Sequence, residues 1–131
     1  MVNKDFDKWN RKKQQIDSLE KRLFFHEGEV WWIHLGINIG FETNGKNDEF
    51  VRPVIILKRY NRYSFLALPL TTSKKMNKYK LSIGTIDSKE VKANLSQLRN
   101  IDSKRLVNRI TNINSKLFIE IKEKVRQVNF D

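Results

Sequence analysis

Apolar residues recur at helical spacing near the start of the chain. Four of them follow one another at intervals of seven, three and four, the period of an amphipathic helix: Trp9, Ile16, Leu19 and Leu23. The cations of this segment fall mainly on the opposite, polar side. We predict one helix from Lys8 to Phe25, within an N-terminal helical extension that covers residues 1–26.

The pattern then changes to that of β-strands. The run GEVWWIHLG is short, rich in aromatic and β-branched residues and bounded by glycines, so it is predicted to be a strand. The next segment, INIGFETNGKNDEF, is rich in glycine and asparagine and predicts a long, mobile loop. Loops of this length in a compact domain tend to be functional.

Two further apolar runs predict a β-hairpin. Pro53 is expected to open the strand PVIILKRY, where its missing N–H does no harm. Asn61 and Arg62 can form the turn, and the chain returns from Tyr63 to Leu70. Weaker strands are predicted from Tyr79 to Ile83 and over VKANLSQL.

The C-terminal part predicts helices. Asp102 or Ser103 can cap a short helix, KRLVNRI, and Asn114 or Ser115 can cap a final helix. The final helix carries an apolar stripe of Leu117, Ile121, Val125 and Val128. The predicted fold is β-rich α+β, a bent antiparallel sheet or small barrel with a helix at each end. We predict a single domain, 1–131, with the barrel core at 27–111 and the C-terminal helix at 112–131.

The charge of the chain indicates what kind of partner it binds. The net charge of the 131 residues is +11, and residues 51–80 hold eight cations and no acid. A lysine-rich composition can serve solubility alone, but cations concentrated on a small sheet favour a phosphate-binding face. The predicted partner is therefore a polyanion such as nucleic acid.

Composition also argues against several function classes. The chain has no cysteine, which excludes thiol chemistry and cysteine zinc sites. The histidines, His26 and His34, have no carboxylate at ligand spacing, so no metal and no cofactor are predicted. No glycine pattern for nucleotide binding appears. The sequence also lacks a membrane-spanning run and a secretory signal, so we expect a cytoplasmic protein without membrane contact.

The remaining candidates for chemistry are a guanidinium and three hydroxyls. Arg52 precedes Pro53, which holds its backbone extended, and guanidinium binds phosphate oxygens in a two-pronged geometry. The hydroxyls follow a predicted strand, at Thr71, Thr72 and Ser73. Such residues are also common as surface cations and strand ends, so the pattern leaves both readings open.

Taken together, four segments resemble the MazF/PemK family of toxin endoribonucleases. They are GEVWWIHLG followed by GFE, RPVIIL, the strand ending in LPLTTS, and LSQLRNIDSKRL. Their order, spacing and junctions agree with the family over about Glu27 to Ile110. The resemblance implies a small SH3-like antiparallel barrel with added N-terminal and C-terminal helices, acting as a homodimer.

The resemblance also implies an activity, the cleavage of single-stranded RNA without metal. In that chemistry the RNA 2′-hydroxyl attacks the adjacent phosphodiester and leaves a cyclic phosphate and a 5′-hydroxyl. The family's catalytic residues map onto Arg52 and Thr71, with Thr72 in support. Glu42, in GFE, is the implied proton acceptor. Arg52 is expected to stabilise charge on the phosphoryl oxygens.

The same reading predicts an RNA-binding surface and a protein partner. Its residues are Thr72, Ser73, Lys74, Lys75, Lys58, Arg59 and Gln97. The expected inhibitor is a cognate antitoxin, acidic and partly disordered. Two positions depart from the family pattern, since Ser96 replaces an acid and Asn94 an arginine. A non-catalytic nucleic-acid-binding or partner-binding barrel is therefore the alternative, and a purely structural protein would leave the acid-free block unexplained.

Overall fold

The N-terminal helix is shorter than its sequence pattern predicts. A computed structural model describes residues 4–36, 38–39, 42–46 and 50–131. Helix α1 spans Phe6–Asp17, and the Asp5 side chain caps it by accepting from the Lys8 N–H at 2.9 Å. The predicted extension of the helix to Phe25 is wrong.

Packing explains why the helix ends early. Trp9 and Ile16 of α1 are buried, but Leu19 and Leu23, assigned to the same apolar stripe, are about half exposed. Beyond Ser18 the chain leaves the helix and carries Phe25 into the core, where its ring lies 4.9 Å from that of Phe65. The contact between Phe25 and Phe65 is made by a non-helical segment, so the helix ends before it reaches residue 25.

Three consecutive strands form the centre of the sheet. They are β1 (Glu29–His34), β2 (Val51–Arg59) and β3 (Ser64–Thr71), paired antiparallel in that order. The strand β2 begins at Val51, two residues before the predicted opening at Pro53. The hairpin prediction is confirmed, and the Asn61 side chain closes its turn by accepting from the N–H groups of Tyr63 and Ser64.

Four more strands extend this sheet. They are β4 (Lys80–Ile86), β5 (Lys89–Asn94), β6 (Arg99–Asp102) and β7 (Leu106–Asn112). The hydrogen-bonded order is β4-β5-β3-β2-β1-β7, and β6 pairs with the first half of β3. The predicted helix KRLVNRI is wrong, since a three-residue 3₁₀ turn, Ser103–Arg105, leads directly into β7. The segment instead hydrogen-bonds along β1, a partner far away in the sequence.

Both faces of the central strands are buried, which explains their unbroken apolar runs. One face packs Trp31, Ile33, Val54, Ile56 and Phe65 into a core cluster. The other face meets helix α2 (Ser115–Phe130), whose Ile121 and Val125 are buried, as predicted. Asn114 caps α2 by accepting from the Leu117 N–H at 2.9 Å.

The result is a curled antiparallel half-barrel with a helix at each end. This confirms the predicted fold class. No helix in the described part of the chain is long and apolar enough to cross a membrane.

Candidate active site

Arg52 and Thr71 lie at the adjoining ends of strands β2 and β3. Val54 and Pro69 form the last pair of the β2–β3 register in this direction, and Arg52 and Thr71 lie two residues beyond that pair on their own strands. Facing residues in an antiparallel pair project to the same side of the sheet. The sequence prediction that folding brings these two residues together is therefore consistent with the strand pairing.

The Arg52 guanidinium is half-buried and fixed by backbone carbonyls. Its Nε donates to the Asn44 carbonyl at 2.6 Å, and its Nη1 donates to the Leu70 carbonyl at 3.0 Å. Burial lowers the pKa of Arg52, but an arginine stays protonated at neutral pH. A guanidinium has five N–H donors, and protein groups in the described residues use two of them. The others can bind an anion.

The hydroxyl residues form a tight turn at the end of β3. Thr71 Oγ1 accepts from the Ser73 N–H at 3.1 Å, and Ser73 Oγ accepts from the Lys75 N–H at 3.3 Å. The Thr71 hydroxyl therefore has its oxygen held by the turn. Within the described structure its proton has no assigned acceptor, so it can be donated to a substrate oxygen.

Lys92 is a buried cation next to the candidate site, and the sequence analysis did not single it out. It faces Thr71 across the β3–β5 pairing, is only 5% exposed, and donates from Nζ to the Ser73 carbonyl at 2.9 Å. A buried ammonium therefore holds the far end of the hydroxyl turn. The available sign was a lysine between Val91 and Ala93 in a predicted strand.

A cleft of about 290 Å³ opens where these strand ends meet. Among the described residues it contains one carboxylate, Asp87, and the further cations Lys46 and Lys89. Its lining comprises Trp32, Lys46, Val51, Arg52, Pro53, Leu70, Thr71, Thr72, Ile86, Asp87, Lys89, Val91 and Ile110. A cleft with this excess of cations suits a phosphodiester better than a neutral ligand.

Glu42, the predicted proton acceptor, does not belong to the described lining of this cleft. It is exposed, and its carboxylate accepts from the Ile39 N–H at 3.1 Å. Burial lowers the pKa of Arg99, while the negative charge of Glu42 acts to raise it. The described contacts of Glu42 do not place it in the cleft with Arg52 and Thr71.

The predicted RNA-binding residues divide into two groups. Thr72 lines the cleft, and Ser73, Lys74 and Lys75 follow it directly. Gln97 lies on the side of the β1–β2 connection, where it accepts from the Thr43 N–H at 3.4 Å.

Lys58 and Arg59 lie at the other end of β2, away from the cleft. The Lys58 ammonium is 3.8 Å from the Glu27 carboxylate, which also accepts from the Arg59 N–H. The Arg59 guanidinium lies over the rings of Phe24 and Phe25. The cations of residues 51–80 therefore do not form one continuous positively charged surface.

No three His, Asp or Glu side chains come together as a possible metal site in the described ranges. The His26 imidazole is largely exposed, and its Nδ1 lies 3.7 Å from the Glu29 carboxylate.

Residues 26–129 match the family model described as PemK-like, MazF-like toxin of type II toxin–antitoxin system. The chain belongs to this family of PemK/MazF-like toxins. The resemblance inferred from the sequence motifs is thereby confirmed, and α1 lies outside the matched segment. A comparison with curated protein sequences gives no significant match.

Solved structures of MazF toxins and of an endoribonuclease show the same fold. MazF from Deinococcus radiodurans aligns with a TM-score of 0.66 at 19% identity, covering 79% of this chain and 94% of that one. An endoribonuclease from a mycobacterial species, in complex with its cognate antitoxin, aligns at 0.62 and 14% identity, covering 82% and 98%. The Mycobacterium tuberculosis toxin MazF-mt6 aligns at 0.57 and 13%, covering 76% and 93%.

The two departures from the family pattern lie away from the described lining of the cleft. Ser96 is exposed after β5, and Asn94 is the last residue of that strand, paired with Lys80 of β4. In this PemK/MazF-like chain, Lys92 and Asp87 bring charge to the site from the same hairpin.

Proposed function

We propose that this PemK/MazF-like toxin is an endoribonuclease that cleaves single-stranded RNA without a metal ion. The observation that carries the proposal is that Arg52 and Thr71 line the same cleft, with the guanidinium held by two carbonyls. Family membership supports the toxin role, and structurally similar proteins include one described as an endoribonuclease.

In the proposed reaction the substrate supplies its own nucleophile. The 2′-oxygen of the ribose bonds to phosphorus, the bond from phosphorus to the 5′-oxygen breaks, and a 2′,3′-cyclic phosphate forms. The 2′-hydroxyl loses its proton to a base, and the leaving 5′-oxygen takes up a proton. The protein must align these atoms and stabilise the charge that develops on the phosphoryl oxygens.

Arg52 is suited to the electrostatic part of this task. Its position is fixed before substrate binds, so little reorganisation is needed when charge develops. The Thr71 hydroxyl, held at the end of β3, is proposed to donate to a phosphoryl oxygen from the same side. Loss of a single oxyanion donor typically lowers the rate by about 10²- to 10³-fold.

Two carboxylates are candidates for the proton acceptor. Glu42 is the acceptor implied by the family resemblance, and it lies outside the described lining of the cleft. Asp87 is the carboxylate in the described lining of the cleft. Position therefore favours Asp87, at the turn of the β4–β5 hairpin, and Glu42 is the second candidate.

The RNA backbone is proposed to follow the cations around the cleft. Lys46 and Lys89 line it, while Lys74 and Lys75 extend from the hydroxyl turn. Thr72 and Ser73 can add polar contacts, and Gln97 can reach RNA beside the β1–β2 connection. Since Lys58 and Arg59 lie at the far end of β2, we assign them at most to the distal part of the RNA.

We also infer that a cognate antitoxin controls the enzyme and that the toxin acts in the cytoplasm as a homodimer. The net charge of +11 favours an acidic partner, and a partly disordered acidic segment can lie along a cationic cleft. The mycobacterial endoribonuclease with its cognate antitoxin is a precedent within the same fold.

A cleavage assay in the presence of EDTA tests the proposal. Purified protein should cut a single-stranded RNA to products with a cyclic phosphate and a 5′-hydroxyl, and a 2′-deoxy substitution at the cleaved position should block the reaction. If RNA binds but is not cut, the protein is a non-catalytic binding module. The departures at Ser96 and Asn94 make this control necessary.

A further inference from the structure

Helix α1 contacts both ends of the connection between β1 and β2, which covers residues 35–50. The helix itself lies outside the segment that matches the family. Trp9 is 4% exposed, and its ring lies 5.3 Å from that of Phe50. At the other end the indole lies directly against Gly36, where an added Cβ would be 2.1 Å from two ring atoms. The helix therefore touches the first and the last part of the connection through one side chain.

The two ends that Trp9 covers are themselves hydrogen-bonded. The N–H groups of Leu35 and Gly36 both donate to the Phe50 carbonyl, at 2.8 and 3.0 Å. Arg105 adds a further contact, since its guanidinium lies 5.6 Å from the Trp9 ring and donates to the His34 carbonyl. Trp9 is thus packed against the hydrogen-bonded ends of the connection, at Gly36 and Phe50.

Two hydrogen bonds connect Gly36, which Trp9 contacts, with the guanidinium of Arg52. The Gly36 carbonyl accepts from the Gly45 N–H at 2.6 Å. The preceding residue, Asn44, uses its carbonyl to accept from Arg52 Nε at 2.6 Å. Any shift of Gly36 therefore moves the acceptor that orients Arg52.

A second chain of hydrogen bonds runs from the start of the N-terminal segment to the same residue, Asn44. The Lys4 ammonium donates to the Asn38 carbonyl at 2.7 Å. The Asn38 side-chain amide donates to the Thr43 carbonyl at 2.8 Å, and the Asn38 backbone N–H donates to the side-chain Oδ1 of Asn44. Residues on both sides of the helix start therefore hold the segment that carries Asn44.

We propose that Trp9 is a positioning residue for Arg52, and that α1 serves to orient the guanidinium of the active site. The contact of Trp9 with Gly36 and Phe50 fixes the connection, and the Asn44 carbonyl then fixes Arg52 Nε. The catalytic part of this inference rests on the proposed ribonuclease function; the positioning part concerns only the geometry of the chain.

Hydrogen exchange at the Arg52 side chain tests the positioning directly. The Nε–Hε signal of Arg52, assigned by its loss in Arg52→Lys, should exchange slowly with water in the wild-type protein. Trp9→Ala should speed this exchange at least tenfold. Phe6→Ala, which removes a half-exposed aromatic residue from the same helix, should leave it unchanged. Val125→Ala in α2 controls for general loss of stability.

Kinetics test the catalytic consequence. Trp9→Ala should lower kcat about 10- to 100-fold, the size expected for a small misplacement of a catalytic group, with little change in KM. Trp9→Phe should restore part of the loss. In an Arg52→Ala background, Trp9→Ala should have no further effect, because the group it positions is gone.

Two outcomes contradict the inference. One is unchanged exchange at Arg52 Nε in a folded Trp9→Ala protein. The other is a full additional loss of rate when Trp9→Ala is combined with Arg52→Ala. If the wild-type protein fails to cut RNA, the proposed function fails, and the exchange measurement still decides the positioning role.

Discussion

Arg52 Nη1 donates to the carbonyl of Leu70, the residue directly before Thr71, at 3.0 Å. This contact ties the candidate oxyanion donor on β2 to the strand end that carries the candidate hydroxyl. The relative position of the two groups is therefore set by strand pairing and one charge-assisted hydrogen bond. Substrate has only to enter the cleft beside them.

Removal of the Thr71 hydroxyl should slow cleavage while the fold is retained. Thr71→Val keeps the shape of the side chain but removes a donor, so the rate of cleavage should fall about 10²-fold. Thr71→Ser keeps the hydroxyl and should remain within a few-fold of the wild type. Single-turnover cleavage measures both. A Thr71→Val protein with full activity would contradict this role, and equal losses in the two variants would show that the hydroxyl alone does not account for them.

The choice between Asp87 and Glu42 as proton acceptor can be settled by a pair of isosteric changes. Asp87→Asn should lower the rate at least 10²-fold, the usual contribution of a general base, and Glu42→Gln only a few-fold. Asparagine tolerates the positive φ of 51° at position 87, so the hairpin turn should persist. The pH dependence of cleavage in each variant is the measurement. The reverse order of effects would assign the role to Glu42.

Lys92 should be needed for activity more than for folding. Lys92→Met keeps the stem of the side chain in the core but leaves the Ser73 carbonyl without its ammonium donor. We expect an activity loss of about tenfold, since the hydroxyl turn loses its anchor while Arg52 remains in place. Lys78→Met, at an exposed site, is the matched control. A Lys92→Met protein with full activity would remove Lys92 from the site.

The buried carboxylate of Glu29 makes stability depend on acid pH. Burial alone would raise its pKa, but hydrogen bonds from Trp31, the His26 N–H and Arg109 outweigh this, so the pKa is lowered overall. The folded protein therefore binds this proton less readily than the unfolded chain. The stabilisation is present above the unfolded pKa of about 4.3 and is lost as pH falls through the lower folded value.

Urea unfolding at several pH values measures this effect. The wild-type free energy of unfolding should fall between pH 5 and pH 3, and Glu29→Gln should show a smaller fall over that interval. At pH 7 the variant should be less stable by about 1–3 kcal/mol, because the groups around position 29 lose a charged acceptor. An identical acid dependence in both proteins would exclude Glu29 as its source.

Local pattern predicted the central sheet and the last helix well. The apolar runs of β1, β2 and β3 are buried on both faces, and the stripe on α2 is a simple helical repeat. The segment 104–110 was wrongly predicted because its short apolar spacing suits a helix or a strand. The segment forms a strand because it pairs with β1, which is distant in the sequence.

The sequence predicted only those residues of the candidate site that belong to the family motifs. Arg52 and Thr71 stand in recognisable motifs, and both line the cleft. Lys92 and Asp87 lie on a hairpin whose place beside β3 depends on tertiary pairing, so a lysine within a predicted strand was visible in the sequence but its position near the site was not. Lys58 and Arg59 show the reverse, since they share a charged block with Arg52 but occupy the opposite end of a nine-residue strand.

A comparison of Arg52→Ala with Lys58→Ala separates a catalytic role of Arg52 from a general effect of positive charge on β2. Both changes remove one cation from β2, so they alter the net charge equally, but only Arg52 lines the cleft. We expect Arg52→Ala to lower single-turnover RNA cleavage in EDTA by at least about 10²-fold, and Lys58→Ala to stay within a few-fold of the wild type. Equal effects of the two changes, or cleavage that persists in Arg52→Ala, would contradict this expectation.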